Sequence, residues 1–224
     1  MTENQQAEIE WRDGAVPVST RFADPYYSRQ DGLAETRHVF VAGNGLPDRF
    51  RPGFHIAELG FGTGLNMLAA LKAWIASATP GRLRFTSFEA FPMAARDMAQ
   101  ALAAFPELTD QARPLLAAWS EGRTRIETDH LDARIVLGDA RESLSEWHGR
   151  ADAWFLDGFA PARNPELWQP DLLQEVALHT APRSTCATYT AAGLVRRALA
   201  DAGFTVERRP GFGRKRHMTV GRLP

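Results

Sequence analysis

An α/β fold is what this sequence predicts: an open, mostly parallel sheet of seven strands with helices on both faces and one antiparallel strand. Three observations carry that expectation. From Phe54 onward, short apolar runs alternate with segments of helical period, the pattern of repeated βαβ units. The first of these runs ends in the glycine turn Gly60-Phe61-Gly62-Thr63-Gly64, which opens the first helix. The last two strands are joined by only a short Pro-Gly-Phe-Gly connection. A parallel pair needs a long crossover, so this pair must be antiparallel.

The elements follow in order. Residues 1–53 read as an appendage packed on the core, and residues 54–224 as the core itself, the two forming one structural domain. In the appendage, Ile9-Glu10-Trp11 and Ala15-Val16-Pro17-Val18 flank Arg12-Asp13-Gly14, an Asp-Gly hairpin signal. The aromatic turn Asp24-Pro25-Tyr26-Tyr27-Ser28 and the segment Gly32–Val41 follow, placed to roof a pocket. Core strands are expected at Phe54–Leu59, Leu83–Phe88, Ala151–Leu156, Ser184–Tyr189, Phe204–Glu207 and Arg216–Val220. A ribbon of Arg123–Glu127 and Ala133–Leu137 turns near Asp129–Asp132. Helices are expected at Leu65–Ala76, Pro92–Ala104, Arg141–Trp147, Pro170–Leu178 and Ala192–Ala202, the last stopped by Gly203.

Composition narrows the function classes. The 224 residues suffice for one full α/β core, with 44% hydrophobic and 24% charged residues. A net charge of −1 means that any nucleic-acid contact must come from a local patch. Cys186 is the sole cysteine, which excludes an internal disulfide and a cysteine-based zinc site; no metal is expected. The polar opening Met1-Thr2-Glu3-Asn4-Gln5-Gln6 is unlike a signal peptide, and no apolar run approaches the roughly 20 residues of a membrane span. The expected location is the cytoplasm, with no membrane partner.

Ligands in such sheets sit beyond the carboxyl ends of the strands, and four acids fall there. Glu58 precedes the glycine turn, in which Gly60, Gly62 and Gly64 let the backbone approach a ligand closely, and Asn66 follows in the helix. The spacing is G-x-G-x-G and not the dinucleotide G-x-G-x-x-G, whose third glycine would fall on Leu65. Glu58 would repel a pyrophosphate but suits the ammonium and sulfonium of a methionine moiety. Glu89 ends the second strand, where a carboxylate can accept both ribose hydroxyls of a nucleoside. Asp139 either accepts from an adenine amino group or caps the helix that follows. Asp157 ends Ala151–Leu156 and faces the reactive end of such a cofactor; the plain alternative is a turn-forming Asp-Gly.

These residues resemble the methyltransferase part of the MnmC family, bifunctional proteins of tRNA 5-methylaminomethyl-2-thiouridine biosynthesis. The likeness rests on Gly32-Leu33-x-Glu35-Thr36-Arg37-x-Val39-Phe40, Gly60–Asn66, Phe88-Glu89-x-Phe91-Pro92, Asp152–Trp168 and Gly211–Arg216. It implies a Rossmann-like class I fold, S-adenosyl-L-methionine as cofactor, and methylation of an aminomethyl group at C5 of a tRNA wobble uridine. The family's FAD-dependent oxidase part has no counterpart in this sequence, so no FAD is expected. The implied aminomethyl substrate would come from a separate oxidase.

Methyl transfer is an in-line displacement that asks mainly for positioning. Asp157 is the candidate catalytic residue, accepting from the substrate amine. Tyr26, Phe159, Pro161, Asn164 and Trp168 are candidates for shaping the base pocket, since bases taken from loops commonly stack on aromatic rings. Arg214, Lys215 and Arg216, on the basic hairpin that begins at Arg208-Arg209, are candidates for tRNA phosphate contacts. Two other functions fit the same residues: methylation of a small-molecule or protein amine, and a non-catalytic RNA-binding module that keeps the fold.

Overall fold

The structure is a computed structural model that describes residues 6–12, 16–28 and 31–224. Strand β1 (Ile9–Arg12) pairs antiparallel with β2 (Val16–Ser19), which pairs antiparallel with β3 (Asp24–Pro25). The expected Asp13-Gly14 turn lies outside the described residues. Helix α1 (Gly32–Thr36) is capped by Asp31, whose carboxylate accepts from Ala34 N at 2.8 Å, and runs into a π-helical stretch, Arg37–Val41. This element is absent from the sequence expectation, because Val39-Phe40-Val41 has the composition of a strand. The buried Leu33, Val39, Phe40 and Val41 belong to one of the two core clusters.

From β4 (His55–Leu59) the chain alternates as expected: α2 (Leu65–Ala76), β5 (Leu83–Glu89) and α3 (Ala95–Leu102). Helix α3 starts three residues after Pro92, which stands outside it. Helix α4 (Thr109–Ser120) is new relative to the sequence reading; it contains Pro114, a residue that ordinarily argues against a helix interior. Then come β6 (Arg125–Glu127), β7 (Leu131–Leu137), α5 (Ala140–Ser143), β8 (Ala151–Leu156) and α6 (Pro170–Leu178). Helix α5 is shorter than the expected Arg141–Trp147. The chain ends in β9 (Thr180–Thr188), α7 (Gly193–Asp201), β10 (Thr205–Pro210) and β11 (His217–Arg222).

The large sheet has the order β10-β11-β9-β8-β4-β5-β7-β6. Its eight strands correct the expected seven. Two strands, not one, run against the others: β11 is antiparallel to β9 and β10, and β6 to β7. The connection from β6 to β7 is too short for a crossover, so β6 must turn straight back. Strands β4, β5, β7, β8 and β9 run parallel.

Every residue of β4 and β8 is buried, as expected for central strands covered on both faces. Alternate side chains divide between the two cores. Ile56, Ala153 and Phe155 join Met67 and Leu68 of α2, Met98 of α3 and Leu115 of α4. Ala57, Leu59, Trp154 and Leu156 join Leu172 and Val176 of α6 and Val195 and Leu199 of α7. With both faces closed, the carboxyl edge of the parallel strands is what remains for a ligand.

Candidate active site

The strand ends are level because the hydrogen-bond ladder continues past them. Gly60 N donates to Phe88 O at 2.9 Å, Asp157 N to Leu59 O at 3.0 Å, and Gly138 N to Glu89 O at 2.9 Å. The turns after β4, β5, β7 and β8 therefore open onto one cavity of about 880 Å³, near the upper end of the roughly 300–1,000 Å³ of small-molecule sites. Glu89, Asp139 and Asp157 all line it, with Gly60, Gly62 and Asn66.

Glu58 does not line the cavity. It is fully buried one layer behind, accepting from Ser87 Oγ at 2.6 Å and Asn66 Nδ2 at 3.0 Å. Burial holds its carboxyl well above the usual carboxylate range, and Asp157 and Glu89 push it further the same way. Glu58 thus supports the cavity from behind, through Asn66, in place of the ligand contact expected from the sequence. The same Asn66 amide donates to Asp157 Oδ2 at 2.6 Å, and its Oδ1 accepts from Thr36 Oγ1 at 2.9 Å. One side chain on the first turn of α2 thereby fixes the orientation of Asp157. Burial raises the Asp157 carboxyl to about 7, opposed by the Asn66 hydrogen bond and the Lys215 charge. A carboxyl near neutrality can exchange a proton at working pH.

Glu89 accepts from Gly62 N at 2.8 Å on one oxygen and from Phe91 N at 2.7 Å on the other. These bonds stitch the glycine turn to the end of β5. The carboxylate lines the cavity, where it can accept from a ligand hydroxyl. Asp139 caps α5, accepting from Arg141 N at 2.9 Å, and is clasped by the Arg141 guanidinium, which holds its carboxyl below the usual range. Beside it Leu137 leaves an exposed apolar surface on the cavity wall.

The N-terminal sheet supplies the roof. The Asp24 carboxylate accepts from Ala160 N at 2.8 Å, tying β3 to the loop after β8. The Tyr26 ring meets Phe159 edge-on at 5.0 Å between centroids and closes over Gly62, where a Cβ would stand 3.1 Å from it. Phe159 stacks on Phe22 at 4.8 Å, and the Arg21 guanidinium lies 4.5 Å from the Phe91 centroid at the same wall. Tyr26, Phe159 and Asn164 line the cavity, whereas Pro161 and Trp168 do not. Trp168 is 2% exposed, and its Nε1 donates to Phe159 O at 2.9 Å, so it supports the loop from behind. Trp168→Ala is expected to cost about 3–5 kcal/mol of stability, read from the denaturant midpoint. A loss below about 1 kcal/mol would take Trp168 out of the core.

The basic hairpin divides. Arg214 and Arg216 are exposed and do not line the cavity, while Lys215 does, 2.8 Å from Glu35 Oε1 and 3.9 Å from the Tyr189 ring centroid. Sequence reasoning did not place Glu35 or Tyr189 in the site. Tyr189 directly follows β9, next to β8 in the sheet, so the strand-end rule that found the acids also finds it.

These residues fit S-adenosyl-L-methionine. A Cβ on Gly60 would stand 2.2 Å from Asp157 O, so the turn closes tightly on the neighbouring strand end and leaves the cavity floor free of side chains. The donor set suits a nucleoside at Glu89 and Asp139 and a cationic group near Asp157. Among the described residues no group of three or more His, Cys, Asp or Glu side chains is placed to hold a metal, and no helix is long and apolar enough to cross a membrane.

Comparison with known proteins agrees with this geometry. The chain is 45% identical over 232 residues to the tRNA 5-methylaminomethyl-2-thiouridine biosynthesis bifunctional protein MnmC of Pseudomonas paraeruginosa, covering 99% of this chain and 36% of that protein. The protein of the same name from Caulobacter vibrioides is 47% identical, covering 96% and 38%. The chain thus spans little more than a third of these curated relatives. Among solved structures, MNMC2 from Aquifex aeolicus is similar with a TM-score of 0.76 at 29% identity, covering 99% of this chain and 72% of that one. A family model described as S-adenosyl-L-methionine-dependent methyltransferase matches residues 106–224, the half that carries Asp139, Asp157 and the basic hairpin. On that match the chain belongs to the S-adenosyl-L-methionine-dependent methyltransferases, and S-adenosyl-L-methionine is its cofactor.

Proposed function

We propose that this chain methylates the amine of 5-aminomethyl-(2-thio)uridine at the wobble position of tRNA, giving 5-methylaminomethyl-(2-thio)uridine. The observation that carries the reading is Asp157, a carboxyl raised to about 7 and oriented by Asn66, in a cavity walled by Tyr26, Phe159 and Tyr189. The two curated relatives are named for the biosynthesis of this nucleoside.

The cofactor supplies a methyl group activated by its sulfonium sulfur. Glu89 holds the ribose, Asp139 or its neighbours the adenine edge, and the Gly60–Gly64 turn the backbone-facing part of the cofactor. An alkyl ammonium has a pKa of roughly 10 and no lone pair while protonated. Asp157 accepts a hydrogen bond from this group, points its nitrogen along the reaction axis and takes up its proton. The Phe159 and Tyr26 walls favour the neutral amine by desolvation and offer faces on which the uracil stacks. Arg208, Arg214 and Arg216 on the hairpin contact tRNA phosphates. An FAD-dependent oxidase activity supplies the aminomethyl group, and the reaction takes place in the cytoplasm.

The direct test is methyl transfer from labelled cofactor to tRNA from a strain lacking this methylation, with nucleoside mass spectrometry. Conversion of aminomethyl-uridine to methylaminomethyl-uridine is the expected result; a cofactor-binding protein that leaves this tRNA unmodified would overturn the substrate.

Asp157 also predicts how the cofactor's affinity varies with pH. Its folded pKa is raised from 3.8 to about 7, so the protonated form prevails below about pH 7. A cationic sulfonium favours the carboxylate, so binding expels the proton. Affinity is expected to rise by up to about tenfold per unit as pH approaches 7 and to level off above it. Calorimetry from pH 5.5 to 8.5 checks this, and Asp157→Asn should flatten the profile.

A further inference from the structure

We propose that Glu35 and the ring face of Tyr189 form the subsite that first receives the substrate's amine, as its ammonium, before it passes to Asp157 and loses its proton, and that Lys215 fills it here as a built-in stand-in. This rests on the aminomethyl-uridine reading above. Lys215 Nζ stands 2.8 Å from Glu35 Oε1 and 3.9 Å from the Tyr189 centroid, so a primary alkylammonium already occupies the position. A carboxylate and an aromatic face together are what recognise such a cation.

The subsite is built into the catalytic frame. Tyr189 Oη donates to Gly158 O at 2.8 Å, which pins its ring beside the residue that follows Asp157. Glu35 precedes Thr36, whose hydroxyl holds the Asn66 amide that orients Asp157. Glu35, Tyr189, Lys215 and Asp157 line one cavity.

The two halves of the ion pair differ in burial. The Glu35 side chain is 11% exposed and the Lys215 side chain 45%. A buried carboxylate left without a cation is costly. A half-exposed lysine on a four-carbon stem returns to water at little cost. The subsite therefore requires a cation without being committed to this one. Lys215 sits in the connection between β10 and β11, with exposed Arg214 and Arg216 on either side. As the substrate's ammonium enters against Glu35, Lys215 swings out to join them against the phosphates of the same polyanion. Filling of the amine subsite is thereby coupled to engagement of tRNA, and a free small amine has to displace Lys215 without that help.

The test titrates 5-aminomethyluridine, 5-methyluridine and methylammonium into the full chain saturated with S-adenosylhomocysteine, followed by calorimetry or NMR. Lys215→Met is expected to bind 5-aminomethyluridine and methylammonium about fivefold more tightly than wild type, with no change for 5-methyluridine. Lys215→Arg keeps the subsite filled and should retain wild-type affinities. Glu35→Gln should lose the preference for the aminomethyl over the methyl nucleoside, a readout that stands even if Lys215→Met does not fold. No gain for methylammonium in folded Lys215→Met, or a retained preference in Glu35→Gln, overturns the subsite. A gain for methylammonium with none for the aminomethyl nucleoside supports the amine subsite and overturns the uridine substrate.

Discussion

Asp157→Asn is expected to lower kcat for methyl transfer by two to four orders of magnitude, about the worth of a positioned general base. The replacement is nearly isosteric, so the Asn66 contact at 2.6 Å can survive in altered polarity while the capacity to take a proton is lost. Stability should move the other way. The wild-type carboxyl has its pKa raised from 3.8 to about 7, so its favourable contribution to folding is complete below 3.8 and declines as pH rises through about 7. At pH 8 the wild type carries a charge it holds unfavourably, and the asparagine variant does not. The variant should therefore melt at or above the wild-type temperature at pH 8, with the advantage vanishing near pH 4. Single-turnover kinetics and thermal scans at the two pH values check both halves. Turnover within about tenfold of wild type would remove Asp157 from the chemistry.

Gly60→Ala is expected to be the most damaging change in the glycine turn. Its φ is +88°, and a Cβ there would stand 2.2 Å from Asp157 O and 3.1 Å from its carbonyl carbon. Both are backbone atoms of the strand end that carries Asp157, so relief requires β4 and β8 to separate or Asp157 to move. Gly64 differs: its Cβ would meet Leu115 Cδ2 at 2.8 Å and the Phe61 ring at 3.0 Å, side-chain atoms that can yield. Gly60→Ala should cost on the order of 4 kcal/mol, a value at the diagnostic end of single substitutions. For a chain of this size that lowers Tm by about 8–16 °C. Affinity for S-adenosylhomocysteine should fall with it, because the turn bounding the cavity moves. Gly64→Ala should lose less on both counts, its strain being about 1–3 kcal/mol. Calorimetric scans of the two variants side by side decide the matter; an equal or smaller loss for Gly60→Ala would contradict the close approach of the two strand ends.

Much of the fold is legible in the residues because its signals are local. Leu65–Ala76 was readable to the residue, since a glycine turn starts it and an apolar period runs through it. Strands β4 and β8 appear as largely apolar runs, broken only by His55, Glu58 and Asp152, because both faces are covered. Helix α4 was hidden by Pro114, and the π-helical stretch Arg37–Val41 by residues of strand-like composition. The ribbon strand Arg125–Glu127 was legible, but that it extends the large sheet as an eighth strand is decided only by its pairing with β7.

The site divides in the same way. The sequence by itself determined which residues stand at the strand ends: Glu89, Asp139, Asp157 and the glycines between β4 and α2. Chain order and the parallel βα alternation bring those ends to one edge without further information. What only the tertiary structure decided is how far each side chain reaches. Glu58 sits one position earlier in the pleat than Leu59 and is drawn back to Ser87 and Asn66, so it acts behind the cavity and not in it. Trp168 turns inward because its indole finds a carbonyl partner there. Lys215, the middle of three consecutive basic residues, enters the cavity because Glu35, far away in the chain, presents a buried carboxylate that needs a cation. Long-range pairing of that kind has no local signature; it exists only once the sheet has set the distance between the two elements.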